Sequence, residues 1–301
     1  MKTTNRTMKT QKLIKLLPLV GLLMAWGISA NAQLQHYYDF STGTGNDQVG
    51  TANGTLSGGI TISGGALVGG GNNGGITAQW GGGGPMLILN SSVVSGINGA
   101  FTIEDWFTAT TGWPKYDSLY AFSDGSDPGS QSASYLLAVP VRGYSPWPSG
   151  IAVVGAGGIS RPAVGWDLGM EGIYLDTPGV HQTVLTYDGT SFRYYVDGAL
   201  STFGIGGGPL SDPGFNLSSL PNVAIAGGSP YNDPAMTGST YSFAIFNGAA
   251  TADQVASLYS LGTQPTVEQI GGVGVVPEPG TMALLALGGV GLLFWRRRQA
   301  R

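Results

Sequence analysis

No cysteine occurs anywhere in the 301 residues, which excludes disulfides, thiolate zinc sites and a cysteine nucleophile. Histidine is nearly as scarce. With His36 and His181 alone to draw on, a serine triad has little material, and neither a Gly-x-Ser-x-Gly elbow nor a His-Glu-x-x-His pair is present. Basic residues are missing where a nucleic-acid surface would need them. Of 13 Lys and Arg, five lie in residues 1–15 and four in 296–301, leaving Lys115, Arg142, Arg161 and Arg193 for everything between. From Gln33 to Val276 those four face 16 Asp and Glu, a net charge of about −12. Such a body repels phosphate, so no nucleic-acid partner is expected.

What the chain has in abundance is glycine, 52 residues of it, set among enough Val, Leu, Ile and aromatics to build a core. Short β-branched and aromatic runs recur every 8–15 residues, punctuated by Gly, Asn, Asp and Pro. Helical periodicity is almost absent. The pattern predicts an all-β, two-sheet antiparallel sandwich over residues 33–262. Gln182–Tyr187, Ser191–Val196 and Ala199–Phe203 read as successive strands joined by Asp188-Gly189-Thr190 and Asp197-Gly198, because Asp-Gly supplies the positive φ a tight hairpin needs. Thr251-Ala252-Asp253-Gln254 is a capping-box pattern followed by Val255, Leu258 and Tyr259 at helical spacing, predicting one short helix near the end of the domain. Residues 263–275 show no clear pattern and read as a linker.

Both ends of the sequence are apolar and flanked by cations. Residues 1–15 carry Lys2, Arg6, Lys9, Lys12 and Lys15, Leu16–Ile28 is apolar, and Ala30-Asn31-Ala32 is a small-x-small pattern. A secretory signal peptide over residues 1–32 is the expectation, cut after Ala32 by signal peptidase once Sec-type export has begun. Near the other end, Pro277-Glu278-Pro279-Gly280 precedes an uncharged stretch, 281–295, and then Arg296, Arg297 and Arg298. Fifteen helical residues span about 22 Å, short of a hydrocarbon core of roughly 30 Å, so tilt, snorkelling arginines and an interfacial Trp295 make up the difference in a transmembrane helix. Cations at both ends stay cytoplasmic, which places the acidic body across the membrane as an inner-membrane-anchored precursor.

Residues 276–301 resemble the PEP-CTERM sorting domain, in which Val-Pro-Glu-Pro-Gly, a short Gly/Leu-rich helix and an Arg cluster follow in order. The resemblance implies recognition at Pro277, Glu278 and Pro279 by an exosortase-like enzyme and release to the cell envelope or extracellular matrix. A plain C-terminal anchor is the alternative. The body, for its part, resembles the LamG-like jelly rolls of the concanavalin A-like lectin and glucanase superfamily. The likeness is carried by His36-Tyr37-Tyr38-Asp39-Phe40 with Asp47 and Asn53-Gly54-Thr55-Leu56, by Phe101–Phe107, by His181–Gly189 with Tyr195-Val196-Asp197-Gly198, and by Tyr241–Asn247 with Thr251–Tyr259.

Three readings of the body's chemistry follow. Catalytic members of that superfamily place two carboxylates on one strand face about 5–5.5 Å apart. Glu104 and Asp105 are adjacent, hence on opposite faces, and no enzymatic activity is expected, a glycan hydrolase with an unrecognised carboxylate pair being the remaining alternative. Carbohydrate recognition calls for aromatic rings on loops, and Trp113 with Tyr116 and Tyr144 with Trp147 sit in Pro-bearing segments that suit it. An extracellular polysaccharide is the partner they imply, a structural matrix role without a discrete ligand the alternative. Calcium is the one candidate cofactor. Asp124-Gly125-Ser126-Asp127 groups hard oxygen ligands in Asp124 and Asp127, although hairpin-turn use of Asp explains the same cluster. Where the family's last strand often carries a calcium-site Asp, this chain has Tyr241.

Overall fold

The computed structural model describes residues 32–69, 84–109, 118–125, 134–139, 151–156, 168–171, 179–201, 210–211, 213–229 and 236–273. All belong to one compact unit, Asn31–Gly274. In chain order the strands are β1 (Gln33–Asp39), β2 (Gly54–Ser57), β3 (Thr61–Ser63), β4 (Ala66–Val68), β5 (Met86–Leu89), β6 (Phe101–Ala109), β7 (Tyr120–Ser123), β8 (Ser134–Val139), β9 (Ile151–Ala156), β10 (Leu168–Glu171), β11 (Gly179–Tyr187), β12 (Ser191–Val196), β13 (Ala199–Leu200), β14 (Leu210–Ser211), β15 (Asn222–Ile225) and β16 (Ser239–Asn247). Two short helices follow, α1 (Ala252–Leu261) and α2 (Val267–Val273).

The strands form two antiparallel sheets. The first runs β13-β12-β11-β6-β16-β4-β3, with β1 also on β16 and β14 on β12; the second runs β10-β9-β8-β7-β15-β5-β2. Their facing sides share one apolar core, to which the first sheet sends Ile103, Phe107, Leu185 and Phe243 and the second Leu87, Leu89, Phe122, Leu136 and Val223. Each such buried side chain contributes roughly 1.5–3 kcal/mol of transfer free energy. The hairpins lie where the Asp-Gly pairs put them. Asp197 and Gly198 both take positive φ, 50° and 76°, between β12 and β13. A Cβ on Gly198 would stand 2.9 Å from the Cβ of Tyr259 on α1, so only glycine lets this hairpin tuck beneath the helix.

α1 forms as its sequence predicts. Thr251 Oγ1 accepts from Gln254 N and Gln254 Oε1 from Thr251 N, closing the capping box. Val255 and Leu258 are buried against the face of the first sheet that points away from the second, in a cluster with Leu34, Tyr37, Val184, Tyr195 and Phe246.

Within the expected linker, residues 263–273 are folded, and the expected single helix becomes two. Thr266 and Gln269 make a second capping box, with Thr266 N donating to Gln269 Oε1 at 2.9 Å and Gln269 N to Thr266 Oγ1 at 3.3 Å. Ile270 is 1% exposed within the same cluster. The approach to α2 is pinned as well: Tyr37 Oη donates to the Pro265 carbonyl (2.9 Å), Ser242 Oγ to that of Thr263 (2.6 Å) and Gln264 Nε2 to that of Gly65 (2.6 Å). The folded unit therefore runs past residue 262 to the end of α2. No helix among the described residues is long and apolar enough to cross a membrane; residues 281–295 lie outside them.

Candidate functional site

β6 carries the two adjacent carboxylates, and period-2 geometry sends them to different environments. Glu104 points toward the helices. Its Oε1 accepts from Gln182 Nε2 at 2.6 Å and from Trp106 Nε1 at 3.0 Å, and the Trp106 indole stacks on Tyr259 with centroids 5.6 Å apart and planes 7° from parallel. Burial pushes the Glu104 carboxyl up to about 7 against the opposing pull of those two hydrogen bonds. Asp105 points between the sheets, fully buried, and burial followed by the charge of Glu104 raises its carboxyl well above the usual range. With a sheet between them, the pair cannot flank one glycosidic bond as acid and nucleophile.

Both histidines are occupied by aspartates at the sheet margins. His36 Nδ1 lies 2.6 Å from Asp47 Oδ2, and Asp47 also accepts from the backbone N–H groups of Tyr37, Val49 and Ala52. Burial alone would raise the Asp47 carboxyl. The hydrogen bonds from His36 and the backbone outweigh it and hold the group at about 2. His181 Nδ1 lies 2.8 Å from Asp197 Oδ2, and the same carboxylate accepts from Gln182 N at 2.9 Å. Each pair ties a strand to the turn beside it.

Of the residues that the sequence singles out for ligand contact, Trp113, Tyr116, Tyr144 and Trp147 lie outside the described residues, as do Asp127, Ala30, Pro277–Gly280 and Arg296–Arg298. The strands from which the aromatic segments spring are described, however. Tyr120, which opens β7, stands opposite Ala138 near the end of β8. The 110–117 segment runs into that end of β7 and the 140–150 segment leaves from that end of β8. Asp124 follows β7 at the opposite end, where Ser123 stands across from Tyr135. Among the described residues no group of three or more His, Asp or Glu gathers to hold a metal. Tyr241 receives a 2.7 Å hydrogen bond at its hydroxyl from Thr108 Oγ1. Ala32 is buried in the helix-side cluster. Gln182 and Tyr259 complete the surroundings of Glu104 and Trp106; strand register, with Gln182 opposite Trp106, brings the first of them in, and α1 carries the second.

Comparison with known proteins adds two findings. Residues 275–298 match the PEP-CTERM protein-sorting motif, which implies exosortase-dependent export and a secreted protein sorted to the cell envelope. Among solved structures the chain is similar to domain 4 of AbnA, a GH43 extracellular arabinanase from Geobacillus stearothermophilus, in complex with arabinotriose. That match has 16% identity and a TM-score of 0.52, and covers 76% of this chain and 99% of that one. Botulinum neurotoxin type C is also matched, at 11% identity and TM-score 0.47, over 76% of this chain and 51% of that one. So is a Trypanosoma rangeli sialidase, at 14% and 0.47, over 76% and 32%. The chain thus spans about half and one third of those two. The arabinanase domain supports a β-sandwich and says nothing further about chemistry. No curated protein matches the chain.

Proposed function

We propose that this is an exported envelope or matrix protein whose LamG-like jelly roll is a non-catalytic module that binds carbohydrate or a matrix polymer through loop aromatics. One observation carries the binding part. The segments bearing Trp113 with Tyr116 and Tyr144 with Trp147 are rooted at neighbouring strand ends, because Tyr120 and Ala138 stand opposite one another. Aromatic residues on segments that start from neighbouring strand ends suit stacking on the apolar faces of pyranose or furanose rings. The opposed directions of Glu104 and Asp105 support the absence of hydrolysis. In the same reading, Sec-type export and signal peptidase leave Gln33 as the first residue, 281–295 is the transient membrane helix, and an exosortase-like enzyme acts near Pro277-Glu278-Pro279. Calcium held by Asp124 and Asp127 belongs to the same reading, and Asp124 follows β7 at the end opposite Tyr120.

The test is binding of residues 33–276 to a glycan array that includes arabino-oligosaccharides, with calcium and with a chelator in parallel. Specific spots that vanish in Trp113→Ala or Trp147→Ala protein support the module. A blank array from folded protein overturns it in favour of a structural matrix role. Reducing sugar released from any spot overturns the non-catalytic reading.

A further inference from the structure

Asp105 is placed where a carboxylate is least expected. It faces the inter-sheet core at 0% exposure, flanked in register by Thr183 on β11 and Phe243 on β16. Tyr194 enters from β12 beside Leu185, and Tyr120 reaches across from the second sheet with its ring edge-on to Phe243 at 5.3 Å. Both phenols and the threonine are as buried as the acid, at 2% exposure or less. Neither carboxyl oxygen of Asp105 has a hydrogen-bond partner, nor does the Tyr120 hydroxyl, and the Tyr194 hydroxyl adjoins that of Thr183. No salt bridge among the described residues involves Asp105; Arg193, two strands away on β12, is spent on Asp188 at 2.8 Å.

We propose that Asp105, Thr183, Tyr194 and Tyr120 form a buried site for a single hard cation of sodium or calcium size, set between the sheets. The donors are all oxygen, one of them anionic, which suits such ions and not the nitrogen- and sulfur-seeking transition metals. A lone carboxylate in an apolar core is costly, and a cation is the partner that the described residues do not supply. A proton shared between side chains does not bridge oxygens that fail to reach hydrogen-bond geometry. An ion with bonds of about 2.4 Å joins oxygens up to about 4.8 Å apart. Because burial and Glu104 both disfavour the bare carboxylate, cation and proton compete for it, and affinity rises with pH. The site is distinct from the Asp124 and Asp127 loop and independent of glycan binding.

Thermal unfolding of the full chain in detergent at pH 9 tests this, in sodium, potassium or calcium chloride against choline chloride at equal ionic strength, with metal content measured after desalting. The expected result is a Tm higher by about 5 °C in sodium or calcium chloride, with no such gain in potassium chloride. The gain persists in Asp124→Asn, disappears in Asp105→Asn and needs about ten times more cation in Tyr120→Phe, which keeps the ring and removes one ligand. Should Asp105→Asn fail to fold, the wild-type and Tyr120→Phe titrations decide. A wild-type Tm indifferent to the cation, or a gain that survives Asp105→Asn, overturns the proposal; the first of these outcomes leaves a proton or a water molecule at Asp105.

Discussion

The two faces of β6 are built from the same seven-residue run and solve opposite problems. On the helix side Thr102, Glu104 and Trp106 find partners one by one: Thr102 Oγ1 bonds the Gly248 carbonyl and the Ala250 N–H, Glu104 takes Gln182 and Trp106, and the indole stacks on Tyr259. On the sheet side Phe101, Ile103 and Phe107 pack as hydrocarbon, and Asp105 among them goes without a hydrogen bond. Burial of a polar group is tolerable when its bonds are replaced and costly when they are not. One strand therefore shows both a satisfied polar layer and an unsatisfied polar point, separated by the thickness of a sheet.

The largest expected effects probe the hydrocarbon side. Phe107→Ala removes a fully buried ring between the sheets and is expected to cost about 3–5 kcal/mol in urea unfolding. Leu258→Ala, under α1, is expected to cost about 2–3 kcal/mol, since the helices can settle into the space. Equal losses would erase the distinction between a rigid core and an adjustable cover.

Acidity sharpens the same contrast. Folding raises Glu104 from 4.5 to about 7, so between those values the folded chain holds a proton that the unfolded chain releases. Stability is fullest below pH 4.5 on this account and falls as pH rises to 7, by up to about 3 kcal/mol. Glu104→Gln keeps an acceptor for Gln182 and Trp106 and cannot ionise, so its stability against pH is expected to be flatter across that window and higher than wild type at pH 8. An unchanged slope would mean that the group ionises inside the fold at little cost. Asp105, raised by burial and by the charge of Glu104, pushes in the same direction in cation-free buffer.

Much of the fold was legible wherever local chemistry and tertiary context agree. Asp197-Gly198 needs positive φ whatever surrounds it, and Thr251 with Gln254 caps a helix whatever that helix rests on. The alternation Phe-Thr-Ile-Glu in β6 was legible as a strand but reads as half-exposed, and the structure buries both sides because two helices, distant in sequence, cover the polar one. That covering was half visible. Thr266-Val267-Glu268-Gln269 repeats the capping pattern of Thr251–Gln254, and Gly271-Gly272, poor helix formers, obscured it. Gln182 was beyond reach because its role depends on register with Trp106, a long-range fact. The segments carrying Trp113, Tyr116, Tyr144 and Trp147 lie outside the described residues, and only the pairing of Tyr120 with Ala138 bears on where they start.

The smallest effect tests whether the helical cover folds with the sandwich or merely on it. Thr251→Ala deletes the hydroxyl that accepts from Gln254 N at 3.3 Å and is expected to cost about 1 kcal/mol. If α1 and the sheets melt together, that loss lowers a single transition seen alike by far-ultraviolet circular dichroism and by tryptophan fluorescence, because Trp106 reports on the stack with Tyr259. If the cover opens first, the variant shifts the fluorescence change alone. Glu104 would then meet water before the sheets part, and its pH dependence would belong to the opening of the cover and not to global unfolding.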